Sequence, residues 1–238
     1  MKKILQISFA LLILVQLTSC DELQKIAETL PQEGLSPAKI ASGLKEALNK
    51  GIDKEVTKLM EPDGFYKDAS VKILLPKDLQ KVDKALRDIG LGQLADQGLL
   101  LLNRAASDAV KEAKPIFVNA ITTMSFDDAK NILLGNNDAA TTYLQQKTQT
   151  QLYQKFSPQV KKSLHKVRAD EAWADIIKKY NQIPLVTSVN PDLTDYVTNK
   201  ALDGVFKKVA VEELKIRTDL NERTSNLLQQ VFALQDNK

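Results

Sequence analysis

Cys20 is the residue whose surroundings specify a reaction. Leu17-Thr18-Ser19-Cys20 closes an apolar run that begins after Lys2 and Lys3. A basic head, an apolar stretch and small residues before a cut make a secretory leader. A cysteine at the cut departs from the ordinary A-x-A site: its thiol takes a diacylglyceryl thioether, and cleavage then leaves it as the new N-terminus. The segment reads as a bacterial lipobox. Its apolar run of about 14 residues, interrupted by Gln6, Ser8 and Gln16, falls short of the ~20 that a membrane span needs. Each buried acyl methylene contributes about 0.8 kcal/mol, and stable anchoring takes at least two chains, which an acylated Cys20 would supply. The expected division is therefore a signal peptide over 1–19, a lipidated tether over 20–36 and a helical domain over 37–238. The lipid bilayer is the expected partner, at the periplasmic face of an envelope membrane. Asp21 after the cysteine retains a lipoprotein at the inner membrane in some bacteria; others sort differently, so both membranes stay open.

Within the domain the polar residues to weigh are few. Asn103-Arg104 interrupts a helix that is otherwise apolar, and a buried guanidinium demands partners. Asp108, four residues on, shares its helix face. Together they read as an internal ion pair fixing helix register, or as an anion-binding arginine lining a pocket. Asp195, Asn199 and Asp203 form a second stripe at i, i+4, i+8 beside Tyr196 and Lys200. Paired carboxylates can do acid–base work or hold a hard cation; a solvated stripe, paired with Lys207, is the plainer reading. The ligand-binding candidates are thus Asn103, Arg104, Asp108, Tyr196 and Asp203. Glu213 with Arg217 and Asp219 with Arg223 repeat the four-residue spacing and read as surface pairs.

Other signals carry less. His165, the only histidine, lies among Lys161, Lys162 and Lys166 and reads as a solvated helix face. Gly90-Leu91-Gly92-Gln93-Leu94-Ala95 matches a dinucleotide fingerprint by letter, but a helix rather than a strand precedes it, so it is a turn. No G-x-S-x-G, H-E-x-x-H, Walker or EF-hand pattern is present. No catalytic residue, metal ligand or cofactor is assigned. The expected role is a binding or scaffolding module, more an interaction protein than an enzyme, with an envelope protein or small ligand as its unidentified partner. Two alternatives stay open: a small-molecule or lipid carrier whose pocket is lined by Leu99, Leu102, Ile116 and Phe117 with Arg104 gripping an anionic head, and a hydrolase built on Asp195 and Asp203.

The elements that must position these residues are nearly all helical. Ser36-Pro37 is a helix start, and Ile40, Leu44, Leu48, Ile52, Val56 and Leu59 run at helical spacing to about Met60. Gly43 and Gly51 inside it imply close packing. Residues 61–64 are a turn, and 71–75 before Pro76 is an extended piece that could pair with 185–189 as a short ribbon. Helices follow on either side of Gly90, the second being apolar on most of its surface until Pro115 breaks it. Ser125 with Asp128 predicts a capping box for 126–134, with Gly135 as C-cap and Asn137 or Asp138 capping the next helix. Ser157-Pro158 is a second restart. Helices are then expected over 169–180, from beyond Pro191 to about Arg217, and over 220–234. The fold class is all-α, a multi-helix bundle admitting one short two-stranded ribbon.

Composition excludes other classes. Losing the leader removes two of 33 basic side chains against 30 acidic ones, leaving a charge near +1 and no case for a nucleic-acid partner. Cys20 is the only cysteine, so the domain has no disulfide, thiol nucleophile or thiolate metal site.

Over roughly residues 36–235 the chain resembles a bacterial family of exported proteins and lipoproteins that share a mainly helical domain of unknown function. The resemblance rests on Gly43-Leu44-Lys45 with Ala47-Leu48, on Ile73-Leu74-Leu75-Pro76, and on Leu102-Asn103-Arg104-Ala105-Ala106 followed by Pro115-Ile116-Phe117. It continues through Asp138-Ala139-Ala140-Thr141, Tyr143-Leu144, Tyr180-Asn181 and Ile183-Pro184. Tyr196-Val197-Thr198, Lys200-Ala201-Leu202-Asp203-Gly204, Ile216-Arg217, Arg223-Thr224 and Val231-Phe232 complete it. It implies an exported helical domain without an established activity, and it sets Asn103, Arg104, Tyr196 and Asp203 within family motifs.

Overall fold

A stripe of apolar side chains every three to four residues can be buried only against other helices, and eight helices among the described residues pack in this way. The computed structural model describes residues 35–75, 92–171 and 192–236, with isolated positions within 76–91 and 172–191. Cys20, the leader and most of the expected 169–180 helix lie outside the described residues. The helices are α1 (Pro37–Met60), α2 (Gly64–Lys67), α3 (Gly92–Val110), α4 (Ala113–Thr122), α5 (Phe126–Leu133), α6 (Ala139–His165), α7 (Leu193–Thr218) and α8 (Asn226–Asp236), with a 3₁₀ turn at Leu220–Glu222. No strand occurs among the described residues, so the all-α reading holds. Pro37–Lys238 gathers into one compact unit.

The core lies where α1, α3, α6 and α7 meet. α1 buries Leu44, Leu48, Ile52, Val56 and Leu59, the stripe read from its spacing. α6 buries Leu144, Leu152, Phe156, Val160 and Leu164. Phe117 of α4 meets Phe206 of α7 edge to face, ring centroids 5.9 Å apart, a geometry that sets a positive ring edge against a negative ring face. Two contacts show α6 and α7 to be antiparallel: Ala140 meets Glu213, and Tyr153 meets Asp195. α1 is antiparallel to α7 as well, with Lys54 on Glu212 and Glu55 on Lys208.

The close packing implied by the α1 glycines is present. A Cβ on Gly43 would stand 2.5 Å from Val231 Cγ2 of α8, and one on Gly51 3.3 Å from Glu212 Cγ. Ser125 and Asp128 form the capping box, Ser125 Oγ accepting from Asp128 N and Asp128 Oδ2 accepting from Ser125 N.

Three local expectations need correcting. Pro158 does not restart the chain: α6 runs through it from Ala139 to His165. The apolar residues on either side, Phe156 and Val160, are both buried, and their packing outweighs the ~3 kcal/mol that proline costs inside a helix. Asp138 occupies the N-cap of α6, but its side chain makes no capping bond. The last segment is a 3₁₀ turn followed by α8, and Leu220 is exposed rather than part of the apolar face.

Candidate functional site

The extended piece after α2 organises the one place where several candidate residues meet. Asp68 starts it: Oδ1 accepts from Ser70 N and Ser70 Oγ, and its carbonyl accepts from Val71 N and Lys72 N. Bonds from Ser70 and from Lys208 Nζ hold the Asp68 carboxyl down to about 2. Val71 and Ile73 then turn inward and are buried, while Leu74 is 56% exposed, the two-residue alternation of a strand.

Its ladder partner is a side chain. Asn103 of α3, with no exposed surface, accepts from Ile73 N at Oδ1 (2.7 Å) and donates from Nδ2 to Ile73 O (2.9 Å) and Leu99 O (2.7 Å). Its amide reproduces the donor–acceptor pair that a neighbouring strand would offer. Residues 71–75 are extended, as expected, and Ile73 bonds to Asn103; the expected pairing with 185–189 falls largely outside the described residues. Residues 186, 187 and 189 lie outside the described residues. Tyr196 Oη donates to Leu74 O (2.6 Å) and Lys207 Nζ to Ser70 O (2.8 Å), fastening the segment to α7.

Between the segment and α7 lies a groove of about 310 Å³, walled by Ser70–Leu74 on one side and by Tyr196, Lys200, Asp203, Gly204 and Lys207 on the other. At its floor Gly204 lets Phe65 and Val71 pack closely against α7: a Cβ there would stand 2.6 Å from Phe65 Cε1 and 3.4 Å from Val71 Cβ. Burial pushes the Tyr196 hydroxyl pKa up, keeping it a donor. Lys72 lies 3.8 Å over the Tyr66 ring. Lys200 pairs with Asp203 at 3.0 Å in solvent. Lys72, Lys200 and Lys207 against Asp203 leave the groove net positive.

Three of the five candidates, Asn103, Tyr196 and Asp203, are thus gathered at or beneath one groove. Arg104 and Asp108 are not, and their expected pairing is corrected. Arg104 is exposed, so it needed no internal counterion; its Nε bonds Asp63 Oδ1 at 2.6 Å in the turn before α2. That bond holds the Asp63 carboxyl below its usual range. Asp108 takes Lys111 Nζ (2.8 Å) and Ser163 Oγ (3.0 Å), tying α3 to α6.

Residues 34–233 match the family model described as "Protein of unknown function (DUF4197)". The chain belongs to the DUF4197 family. No curated protein and no solved structure matches it. Both walls of the groove fall inside the DUF4197 span.

The same DUF4197 domain carries charges that sequence spacing placed outside. Arg217 and Glu213 are both buried. Glu213 accepts from Ala140 N, Thr141 N and Thr141 Oγ1, each at 2.8 Å, so a glutamate of α7 supplies the cap that Asp138 withholds. Arg217 bonds Glu213 and donates to Ile132 O and Leu133 O. Arg223, also buried, pairs with Asp236 and not Asp219, at 2.5 Å. A usable signal existed: Glu213 and Arg217 continue the four-residue rise from the buried Val209.

Among the described residues, those named for the two alternatives do not come together. Leu102, Ile116 and Phe117 pack in the core while Arg104 stands at the surface. Asp195 accepts from Tyr153 Oη, Asn190 Nδ2 and Asn199 Nδ2, whereas Asp203 faces Lys200; the two carboxylates share no partner. Between α1, α7 and α8 a cavity of about 20 Å³ has room for one water. Among the described residues no three His, Cys, Asp or Glu side chains cluster to hold a metal, and no helix is long and apolar enough to cross a membrane.

Proposed function

We propose that this protein is an exported lipoprotein held to an envelope membrane by acyl groups on Cys20, and that its domain is a binding module for a protein partner that docks over the 70–74 groove. The lipobox spacing supports the anchor. A single observation carries the binding role: an extended segment, fixed from below by Asn103, holds Leu74 out beside a groove rimmed by Lys72, Lys200 and Lys207. An exposed apolar side chain on a rigid backbone is the kind of anchor that interfaces use, because little entropy is lost when it docks. The separation of Asp195 from Asp203, and of Arg104 from the apolar core, favours this reading over a hydrolase or a carrier.

The anchor is tested by intact mass: acyl chains on a polypeptide beginning at residue 20 are expected, and a free thiol or a chain starting at Met1 refutes it. The groove is tested by photo-crosslinking in the intact envelope. A probe at position 74 should give a discrete adduct, and one at the exposed position 220 should not; no adduct from 74, or equal yields from both, rejects the groove.

A further inference from the structure

Charge is nearly balanced over the chain but not over α6. From Ala139 to His165 this helix carries four lysines and no aspartate or glutamate. Its buried side is Leu152, Phe156, Val160 and Leu164. Lys155, Lys162 and Lys166 recur at i, i+7, i+11, which stacks them along one face, and Lys161 flanks them. Lys155, Lys161 and Lys162, and Lys166 at the C-cap just beyond His165, are all exposed.

The neighbouring charges are committed elsewhere. Asp170 faces His165 and Glu171 takes Arg168. Asp108, beneath on α3, is bound by Lys111 and Ser163 and also attracts Lys166, and Asp195 is bound by Tyr153 on another side of α6. Lys147 sits near Tyr143 and the Asp128 carboxylate, and is left out for that reason. Among the described residues no ion pair forms to Lys155, Lys161, Lys162 or Lys166. The result is a basic strip about 17 Å long, from the helical rise of ~1.5 Å per residue.

We propose that this face of α6 is the surface with which the domain lies against anionic phospholipid headgroups. The inference rests on the acyl anchor only for its consequence in the cell. Residues 20–36 span at most about 60 Å at ~3.3–3.6 Å per residue, while a domain of this size is about 40 Å across by the usual scaling of radius with length. A tether of that reach lets any face meet the bilayer, so the anchor by itself selects none. Three lysines without counter-charges, Lys155, Lys161 and Lys162, do select one, with Lys166 at the end of the strip shared with Asp108. Each lysine near an anionic surface strengthens binding by about fivefold, falling off within a Debye length.

The test uses the mature polypeptide with Cys20→Ser, so that no acyl chain contributes, co-sedimented with phosphatidylcholine vesicles and with equal mixtures of phosphatidylcholine and phosphatidylglycerol. Binding to the mixed vesicles is expected to exceed binding to phosphatidylcholine by on the order of a hundredfold at low salt and to weaken as salt is added. The pair K155Q/K162Q should lose about twentyfold, with an unchanged melting temperature. The pair K67Q/K130Q removes equal charge from elsewhere and should bind as the parent does. Equal binding to both vesicle types overturns the proposal, as does an equal loss from both variant pairs. An unacylated native protein would defeat the anchor and leave these vesicle results standing, so the two failures are distinguishable.

Discussion

Replacing Asn103 by alanine removes three hydrogen bonds at a side chain with no exposed surface. A neutral hydrogen bond contributes about 1 kcal/mol net, and a buried group left without its partner costs about 1–3 kcal/mol. Ile73 N–H and Ile73 C=O are both orphaned if the segment stays in place. The other route is for 71–75 to peel away, which exposes Val71 and Ile73; each side chain then forfeits up to about 1.5–3 kcal/mol of burial. Whichever route is cheaper, the loss is about 3–5 kcal/mol. For a domain near 200 residues, where 1 kcal/mol moves Tm by about 2–4 °C, Tm falls by about 6–20 °C. Asn103→Asp should do no better at neutral pH, because a carboxylate oxygen would replace Nδ2 against the carbonyls of Ile73 and Leu99. Tyr196→Phe, which loses one bond to Leu74 O, should cost about 1 kcal/mol or less. The assays are urea unfolding and hydrogen exchange, with faster exchange in Asn103→Ala confined to 71–75 and its surroundings. An Asn103→Ala protein melting within about 1 °C of the parent would refute the ladder role, and the groove's fixed wall with it.

Glu213→Ala strips Arg217 of its carboxylate and α6 of its cap, and should cost about 3–5 kcal/mol, the penalty for leaving a buried charge unpaired; in urea unfolding, Glu213→Ala combined with Arg217→Met should be less destabilised than the sum of the singles, and additivity refutes the coupling. Asp68 supplies a pH signature. Its folded carboxyl is held at about 2 by the Ser70 hydroxyl and by Lys208, below the ordinary 3.8. A depressed folded pKa means stability that is present above about 4 and is lost as pH falls toward about 2. Solvent screening at this partly exposed group limits the effect to about 1 kcal/mol. Acid unfolding of Asp68→Asn should show a shallower loss across that window, and an unchanged slope refutes it.

Elements whose signals are local were legible in the sequence. α1 declares itself by Ser36-Pro37 and an unbroken apolar stripe, and α5 by Ser125 and Asp128, because a cap and its target lie three residues apart. Partners far along the chain were not. Arg104 could be given Asp108 by spacing, but its true partner Asp63 lies 41 residues earlier in a turn. The extended nature of 71–75 was readable from a short apolar run stopped by Pro76, whereas its ladder partner, a lone asparagine side chain, resembles no strand. Glu213 and Arg217 show a third kind of difficulty. Four-residue spacing identifies a pair on one helix face and is silent on which face that is.

The placement of these charges along α7 bears on how the groove can work. Glu212 and Glu213 are consecutive and so point about 100° apart on the helix; one takes Lys54 of α1, the other the first turn of α6. Arg217 adds the carbonyls that close α5. The C-terminal half of α7 is thereby fixed to three helices by bonds that tolerate no sliding, since a shift of one residue would strand a buried charge. On the N-terminal half, Tyr196, Lys200, Asp203 and Lys207 follow at i, i+4, i+7 and i+11 and present one face to the groove. A site on a rigid helix keeps its geometry better than one on a loop, so this wall is preformed. The opposite wall is a single extended segment whose position depends on Asn103. Any displacement of that backbone at Ile73 must therefore break the Asn103–Ile73 bonds, and a partner that binds without doing so meets a main chain already in its bound form.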